Sequence, residues 1–203
     1  KYSFLRHAEK NRKECQLAAD WLEEDFGDIE GISTKRQGRV NNIVAWHGDF
    51  AKAKILIGAH YDGPPASIGS DDNASALACM LEVAKHTQKS NVAFAGFNCE
   101  EIGLIGSREF AKEHSHFDHV IILEMVGYYS DKVGSQKMPE GLPRFDKGDF
   151  LAVVGNRYSR KLNRGLMRCA KKSRLDLSVK SLVIPFGLEY KLDGLKNTTR
   201  SDH

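Results

Sequence analysis

Short, continuously apolar segments alternate with amphipathic segments along this chain. The stretches between the apolar segments carry apolar residues at helical spacing, as in residues 73–87. A strand that is apolar on both sides must be covered on both faces, and the intervening helices supply that cover. We therefore predict an α/β fold with three layers, in which helices lie on both faces of a predominantly parallel mixed sheet. The apolar segments are 55–59, 92–97, 120–123 and 150–154.

The same patterns predict the remaining elements. A polar stretch occupies residues 27–39, and the aperiodic residues 185–203 are predicted to be a loop. The further helices are expected at 7–26, 104–113 and 157–173, and the further strands at 40–46 and 179–184, the latter closing the sheet. In helix 157–173 the inward face is expected to carry Tyr158, Leu162, Leu166 and Cys169.

Bulk composition limits the classes of protein to consider. A chain of 203 residues is long enough for one domain with a sizeable core. Its net charge of +3 is too small to indicate a nucleic-acid partner. No apolar run reaches the length of a membrane span, so we expect no stable membrane insertion. Cys15, Cys79, Cys99 and Cys169 are widely spaced, and we predict buried free thiols rather than disulfides or zinc ligands.

One segment is much more positively charged than the chain as a whole. Residues 157–174 contain eight lysines and arginines and no acidic residue. Such a run fits a patch for an anionic membrane or a nucleic acid, and it also fits the solvated outer face of a helix. We favour the solvated face because the charge of the whole chain is small.

Three of the apolar segments are followed by side chains of types that commonly bind metals. His60 follows the first segment, Glu100 and Glu101 follow the second, and Glu124 follows the third. In open α/β sheets the carboxyl ends of the strands form the edge where ligands bind. These side chains are therefore expected to share one site.

Each candidate also has an ordinary structural explanation. His60 alone fits a hydrogen-bonded histidine at a strand end, Asp72 fits a helix N-cap, and the Glu100–Glu101 pair fits a solvated turn. Together they are harder to dismiss, because burying several acids is costly without cations. Imidazole and carboxylate ligands suit zinc, and a carboxylate can bridge two divalent ions. In the acidic pair, one carboxylate can bind metal while its neighbour takes a proton from water.

Five segments that occur in a fixed order give this pattern a family resemblance. They are Gly58–Asp62, Gly69–Ser75, Cys99–Ser107, Leu123–Tyr128 and Ser201–His203. Together they resemble the co-catalytic di-zinc exopeptidases of peptidase clan MH, in particular the bacterial leucyl-aminopeptidase branch. The resemblance implies the zinc-exopeptidase, phosphorylase/hydrolase-like fold. Members of that family continue beyond the last histidine, so we expect residues 1–203 to form a single zinc-peptidase catalytic domain that lacks the C-terminal strand and helix.

The resemblance also implies a set of metal ligands. His60 and Glu124 would bind one zinc ion, Asp72 would bridge two, and Glu101 and His203 would bind the second. The expected cofactor is therefore two Zn²⁺ ions, although other divalent ions would fit the same ligands.

Further residues receive roles from the same resemblance. Glu100 would be the general base, and Asp62 would orient His60. A cis peptide bond is expected at Asp71–Asp72, where a non-proline residue adopts it only rarely. Tyr190 is a candidate hydrogen-bond donor to the oxyanion.

The implied activity is that of an aminopeptidase, a hydrolase that removes the N-terminal residue of a peptide substrate. Three alternatives stay open at this stage: a single-zinc glutaminyl cyclase, a carboxypeptidase on dipeptide-like substrates, and a non-catalytic binding domain of the same fold. The resemblance favours an exported protein and the four unpaired cysteines favour the cytoplasm. Oligomeric state leaves no trace in the sequence.

Overall fold

The computed structural model describes residues 1–89, 91–138, 143–174 and 176–184. The chain divides into two compact units, the first spanning Lys1–Gly127 and the second beginning at Tyr128. Tyr190, His203 and the predicted loop 185–203 lie outside the described residues. The organisation of residues 1–203 as a single domain stays a prediction.

The first unit alternates helices and strands as the sequence indicates. Two short helical turns interrupt the regular order, a 3₁₀ turn at Phe50–Lys52 and a π-type turn at Ser70–Ser75. The regular elements are α1 (Arg12–Gly27), β1 (Ile32–Gln37), β2 (Asn42–His47), β3 (Ile55–His60), α2 (Ala76–His86), β4 (Val92–Phe97), α3 (Ile105–Glu113) and β5 (His119–Ile122).

The strands of this unit form a mixed sheet in the order β1-β2-β4-β3-β5. Strands β1, β2 and β4 pair in antiparallel fashion, whereas β3 is parallel to both β4 and β5. The register places His60 beside Phe97, and Gly58 beside Ile122. The carboxyl ends of three parallel strands therefore meet at one edge of the sheet, as predicted.

Strand β4 shows how the layers are packed. Its residues alternate between the two faces of the sheet, as the period of a strand requires. Phe94 is fully buried in the core that contains Leu22 of α1 and Leu77 of α2. Phe97 is buried in a second core with Phe110 of α3. Helices thus cover both faces, which confirms the three-layer α/β prediction, and each large side chain buried in this way contributes about 1.5–3 kcal/mol.

Strand β1 was missed by the sequence analysis, which found only a polar stretch over residues 27–39. Its residues are mostly polar, and only Gln37 is buried. β1 lies at the end of the strand order and pairs with β2 alone. Because an edge strand exposes much of its surface to water, polar side chains are tolerated there and the apolar signal disappears.

The second unit contains β6 (Phe150–Gly155), α4 (Arg160–Lys172) and β7 (Ser178–Val183). β6 and β7 form a separate parallel two-stranded sheet. The prediction that residues 179–184 close the main sheet was therefore wrong, because β7 pairs with β6. Asn163 of α4 is the buried residue of that helix, and its side-chain amide donates to the Val153 carbonyl oxygen over 3.3 Å.

Exposure corrects two predictions about individual side chains. Tyr158 is 72% exposed although the helical pattern predicted it to point inward. Cys79 and Cys169 are also exposed, whereas Cys15 and Cys99 are buried, so the prediction of buried thiols holds for only two of the four. All four cysteines are free. Among the described helices, none combines the length and apolar character needed to span a membrane.

Candidate metal centre

His60 occupies the end of β3 and is 1% exposed. Its Nδ1 lies 3.1 Å from the main-chain oxygen of Asp62. With the proton on Nδ1, that contact is a hydrogen bond and Nε2 keeps a lone pair. Nε2 lies 3.2 Å from Asp72 Oδ1 and 3.4 Å from Glu124 Oε1, and it makes no aligned hydrogen bond. The imidazole is thus oriented as a metal ligand would be.

Asp62 connects two of the strand ends. Its fully buried carboxylate accepts the main-chain N–H of Glu100 over 3.1 Å and that of Glu101 over 3.2 Å. Asp62 contacts His60 as predicted, but mainly through its main chain. The His60 Nδ1 is hydrogen-bonded to the Asp62 main-chain oxygen, while the nearer Asp62 carboxylate oxygen lies 3.5 Å from Nδ1. Asp62 therefore positions the acidic pair after β4 as well as the histidine of β3.

Glu101 brings an unpaired carboxylate oxygen to the same place. Its Oε1 is buried without a hydrogen-bond partner. Burial, reinforced by the negative charge of Asp72, raises the pKa of Glu101 to about 7. The candidate ligand atoms of His60, Asp72 and Glu101 all lie within 4.8 Å of one another.

The ionisation of His60 reflects the acids around it. Burial lowers the pKa of His60, but the carboxylates of Asp62, Asp72 and Glu124, each within 3.5 Å of a ring nitrogen, outweigh burial and raise it well above the ordinary value. A single histidine does not balance this many carboxylates. The donor set of imidazole and carboxylate oxygens, with two orphaned buried atoms, fits a divalent cation such as zinc.

The structure thus brings together four of the five predicted metal ligands. His60, Asp72 and Glu101 form the tight cluster, and Glu124 lies beside His60. Glu100 lies after β4 and immediately precedes Glu101, and its main-chain N–H donates to the Asp62 carboxylate.

Asn73 is a supporting residue that the sequence analysis missed. It is fully buried, its amide nitrogen donates to the Leu123 carbonyl oxygen over 3.0 Å, and its side-chain oxygen accepts the Met125 N–H over 3.1 Å. These two bonds hold the residues on either side of Glu124. The cis peptide bond also lies here, between Asp72 and Asn73, one bond later than predicted.

Asp71 and Ser75 extend the same support. The Asp71 carboxylate accepts the Gly127 N–H over 2.8 Å, and Ser75 Oγ accepts the Val126 N–H over 3.2 Å. A Cβ at position 127 would come within 2.8 Å of the Ser75 Cβ, so glycine is required for this close approach. Segment 71–75 is part of the sequence that carries the family resemblance, but that resemblance implies a metal-binding role for Asp72 alone.

Comparison with known proteins identifies the family of this chain. The model of peptidase family M28 matches residues 41–163. The chain belongs to peptidase family M28. Among curated relatives, this M28 chain is 36% identical over 169 residues to YfbL of Escherichia coli (strain K12), covering 73% of this chain and 52% of YfbL. It is 34% identical over 82 residues to aminopeptidase YwaD of Bacillus subtilis (strain 168), covering 36% of this chain and 18% of YwaD.

Solved structures confirm the fold of this M28 chain. LapA aminopeptidase of Legionella pneumophila superposes with a TM-score of 0.65 at 18% identity, over 89% of this chain and 50% of LapA. The chain spans about half or less of the length of these relatives.

Proposed function

We propose that this chain is the catalytic part of a zinc-dependent aminopeptidase, which binds two zinc ions and hydrolyses the N-terminal bond of a peptide. The observation that carries the proposal is the convergence of His60, Asp72 and Glu101 within 4.8 Å. Membership of a peptidase family and the likeness to an aminopeptidase of Bacillus subtilis support a peptide substrate.

The assignment of ligands follows the family resemblance, and the positions of His60, Asp72, Glu101 and Glu124 support it. His60 and Glu124 would hold the first ion, Asp72 would bridge, and Glu101 with His203 would hold the second. The count of two is supported by the five candidate ligands that result when His203 is included on the family resemblance, because a single zinc site takes about four protein ligands or fewer. It is also supported by the negative charge that the cluster would otherwise bury uncompensated.

The chemistry divides between the metal and the residues of the chain. Bound zinc would polarise the scissile carbonyl and lower the pKa of water at the site. Glu100 takes a proton from the attacking water and returns it to the leaving amine. Asp62 fixes the main chain of Glu100 through the N–H bond of 3.1 Å, so the carboxylate starts from a defined backbone position. Asn73 holds the segment that carries Glu124.

The test combines metal analysis with hydrolysis of aminoacyl-arylamides by the full-length protein. We expect about two zinc ions per chain, and we expect Glu100→Gln to keep its metal while losing hydrolysis. Glu30→Gln, a change at an exposed glutamate of the first unit, is the matched control and should leave both unchanged.

The other outcomes separate the alternatives. One zinc ion without hydrolysis favours a cyclase, which formation of pyroglutamate from an N-terminal glutamine would establish. Hydrolysis of N-blocked dipeptides in preference to arylamides favours a carboxypeptidase. Absence of both metal and activity in the full-length protein favours a binding module and contradicts the proposal.

A further inference from the structure

Arg6 is a fully buried arginine whose side chain is bonded to the segment that joins His60 to Asp72. We propose that Arg6 is a positioning residue for the metal centre, holding segment 61–69 so that His60 and Asp72 converge before any metal binds. The inference rests on the proposed function. Arg6 lies outside the family match at residues 41–163, so that match assigns it no role.

The guanidinium reaches both ends of the segment. Nε donates to the Tyr61 carbonyl oxygen over 2.7 Å, directly after His60. At the other end, Nη1 donates to the Ile68 oxygen over 2.9 Å and Nη2 donates to the Gly69 oxygen over 3.0 Å. One rigid, planar group therefore sets the separation between two points of the chain 8 residues apart in sequence numbering (61 to 69).

The Gly69 carbonyl connects Arg6 to the turn that contains Asp72. Its oxygen also accepts the Ala74 N–H over 3.1 Å, which closes the helical turn that contains Asp72. At the first end, the Tyr61 N–H donates to the Phe97 oxygen over 2.8 Å, beside the acidic pair after β4. Arg6 is thus connected through single hydrogen bonds to the backbone on both sides of the site.

The segment leaves little space around the arginine. Gly69 has φ +58, a left-handed conformation that favours glycine, and a Cβ there would come 2.8 Å from Nη1 and would collide with the Asp72 main-chain oxygen. A Cβ on Gly63 would come 3.3 Å from the Arg6 Cγ. Two glycines therefore allow the segment to wrap closely around this side chain.

Arg6 is also fixed from the N-terminal side. Nη1 donates to the Tyr2 oxygen over 2.6 Å and to the Phe4 oxygen over 3.2 Å. A buried guanidinium is costly unless its N–H groups are bonded, and here every nitrogen donates to a main-chain oxygen. The guanidinium therefore links residues 2–4 to the segment 61–69 through hydrogen bonds to main-chain oxygens of both.

The first experiment measures zinc affinity of the full-length protein by competition with a chelator, for wild type, Arg6→Lys and Arg6→Met. Lysine keeps the charge, but its single ammonium cannot bond positions 61 and 69 in the same fork. We expect both variants to bind zinc about 10- to 100-fold more weakly, the range for residues that orient metal ligands. An affinity within twofold of wild type in either folded variant would overturn the proposal.

A control separates positioning from loss of stability. Phe26→Leu removes volume from the buried core beside Phe94, away from the segment that Arg6 holds. It should lower the melting temperature as the arginine variants do while leaving zinc affinity unchanged under folding conditions. An equal loss of affinity in Phe26→Leu would mean that Arg6 acts only through stability. Absence of zinc binding in wild type would instead contradict the proposed function.

A second measurement needs no variant. In chelator-treated wild type, hydrogen exchange of the Ala74 amide reports on its bond to Gly69. We expect protection to persist without metal, because Arg6 rather than zinc holds this segment. Loss of protection on metal removal, while strand β4 stays protected, would overturn the proposal even if no arginine variant folds.

Discussion

The main-chain N–H of Glu101 donates to the buried carboxylate of Asp62 over 3.2 Å, and this bond joins the ends of two neighbouring parallel strands. A second N–H, from Glu100, reaches the other carboxylate oxygen. Both oxygens of one side chain are therefore used to place the two adjacent acids. The relationship makes Asp62 a structural centre of the site as well as a neighbour of His60.

We predict that Asp62→Asn weakens zinc binding by about 10- to 100-fold. An amide offers one acceptor oxygen, and its nitrogen would face an N–H donor, so one of the two bonds is lost. Chelator competition measures the change. Asp49→Asn is the matched control, because asparagine can still accept the Ala51 N–H at that exposed turn. Unchanged zinc affinity in Asp62→Asn would contradict the prediction.

Asn73→Ala is predicted to destabilise the protein by about 1–3 kcal/mol. The change leaves the Leu123 carbonyl and the Met125 N–H without their side-chain partner in a partly buried setting. Urea denaturation measures the free energy of unfolding. Asn11→Ala is the control, since Asn11 makes no side-chain capping bond at α1 and its loss should matter little. Equal effects of the two substitutions would count against the proposed contact.

The metal-free protein is predicted to lose stability as pH rises from about 4.5 to about 7, through the contribution of Glu101. The pKa of Glu101 is raised in the folded state, so the folded chain binds the proton more tightly and low pH favours it. His60, whose pKa is also raised, contributes with the same sign. Denaturation in chelator at pH 5 and pH 8 should show a smaller loss for Glu101→Gln than for wild type. Identical losses would contradict the assignment.

Cys15 is predicted to resist alkylation at pH 8. Burial raises the pKa of its thiol to about 12, and the thiolate is the reactive form. Its Sγ also contacts Asn98 Oδ1 at 3.3 Å. Peptide mapping after brief iodoacetamide treatment should find Cys79 and Cys169 modified first, because both are exposed. Early modification of Cys15 in the folded protein would be inconsistent with this structure.

Arg164→Glu is predicted to stabilise the protein by about 1 kcal/mol or less. Arg160, Arg164 and Arg168 are spaced four residues apart on α4 and are exposed, so they repel one another. A glutamate between the other two replaces two repulsions by two attractions. Arg164→Gln, which only removes repulsion, should give a smaller gain in urea denaturation. A loss of stability would argue against a solvated helix face.

The order of elements and the chemistry of the strand ends could be predicted from the sequence. Strand β4 was predicted with its observed bounds, because six buried residues without a charge identify a strand covered on both faces. The residues after β3, β4 and β5 were predicted to meet because the carboxyl ends of parallel strands share an edge. These features depend on local apolar patterns, which a single sequence displays.

The roles of Arg6, Asp71 and Asn73 required the tertiary structure. Arg6 contacts residues more than 50 positions away, and Asn73 contacts residues about 50 positions away, so no local pattern reveals either contact. The polar edge strand β1 was missed for a related reason, since its strand identity comes from pairing with β2 rather than from its own residues.

The sequence by itself determined the α/β class, which follows from residue type and short-range spacing, and it placed candidate metal ligands at the ends of three apolar segments. Only the tertiary structure decided which buried polar groups hold those side chains in place. A hydrogen bond across the fold depends on the three-dimensional packing of distant segments, and its energy is realised only when both partners are desolvated together.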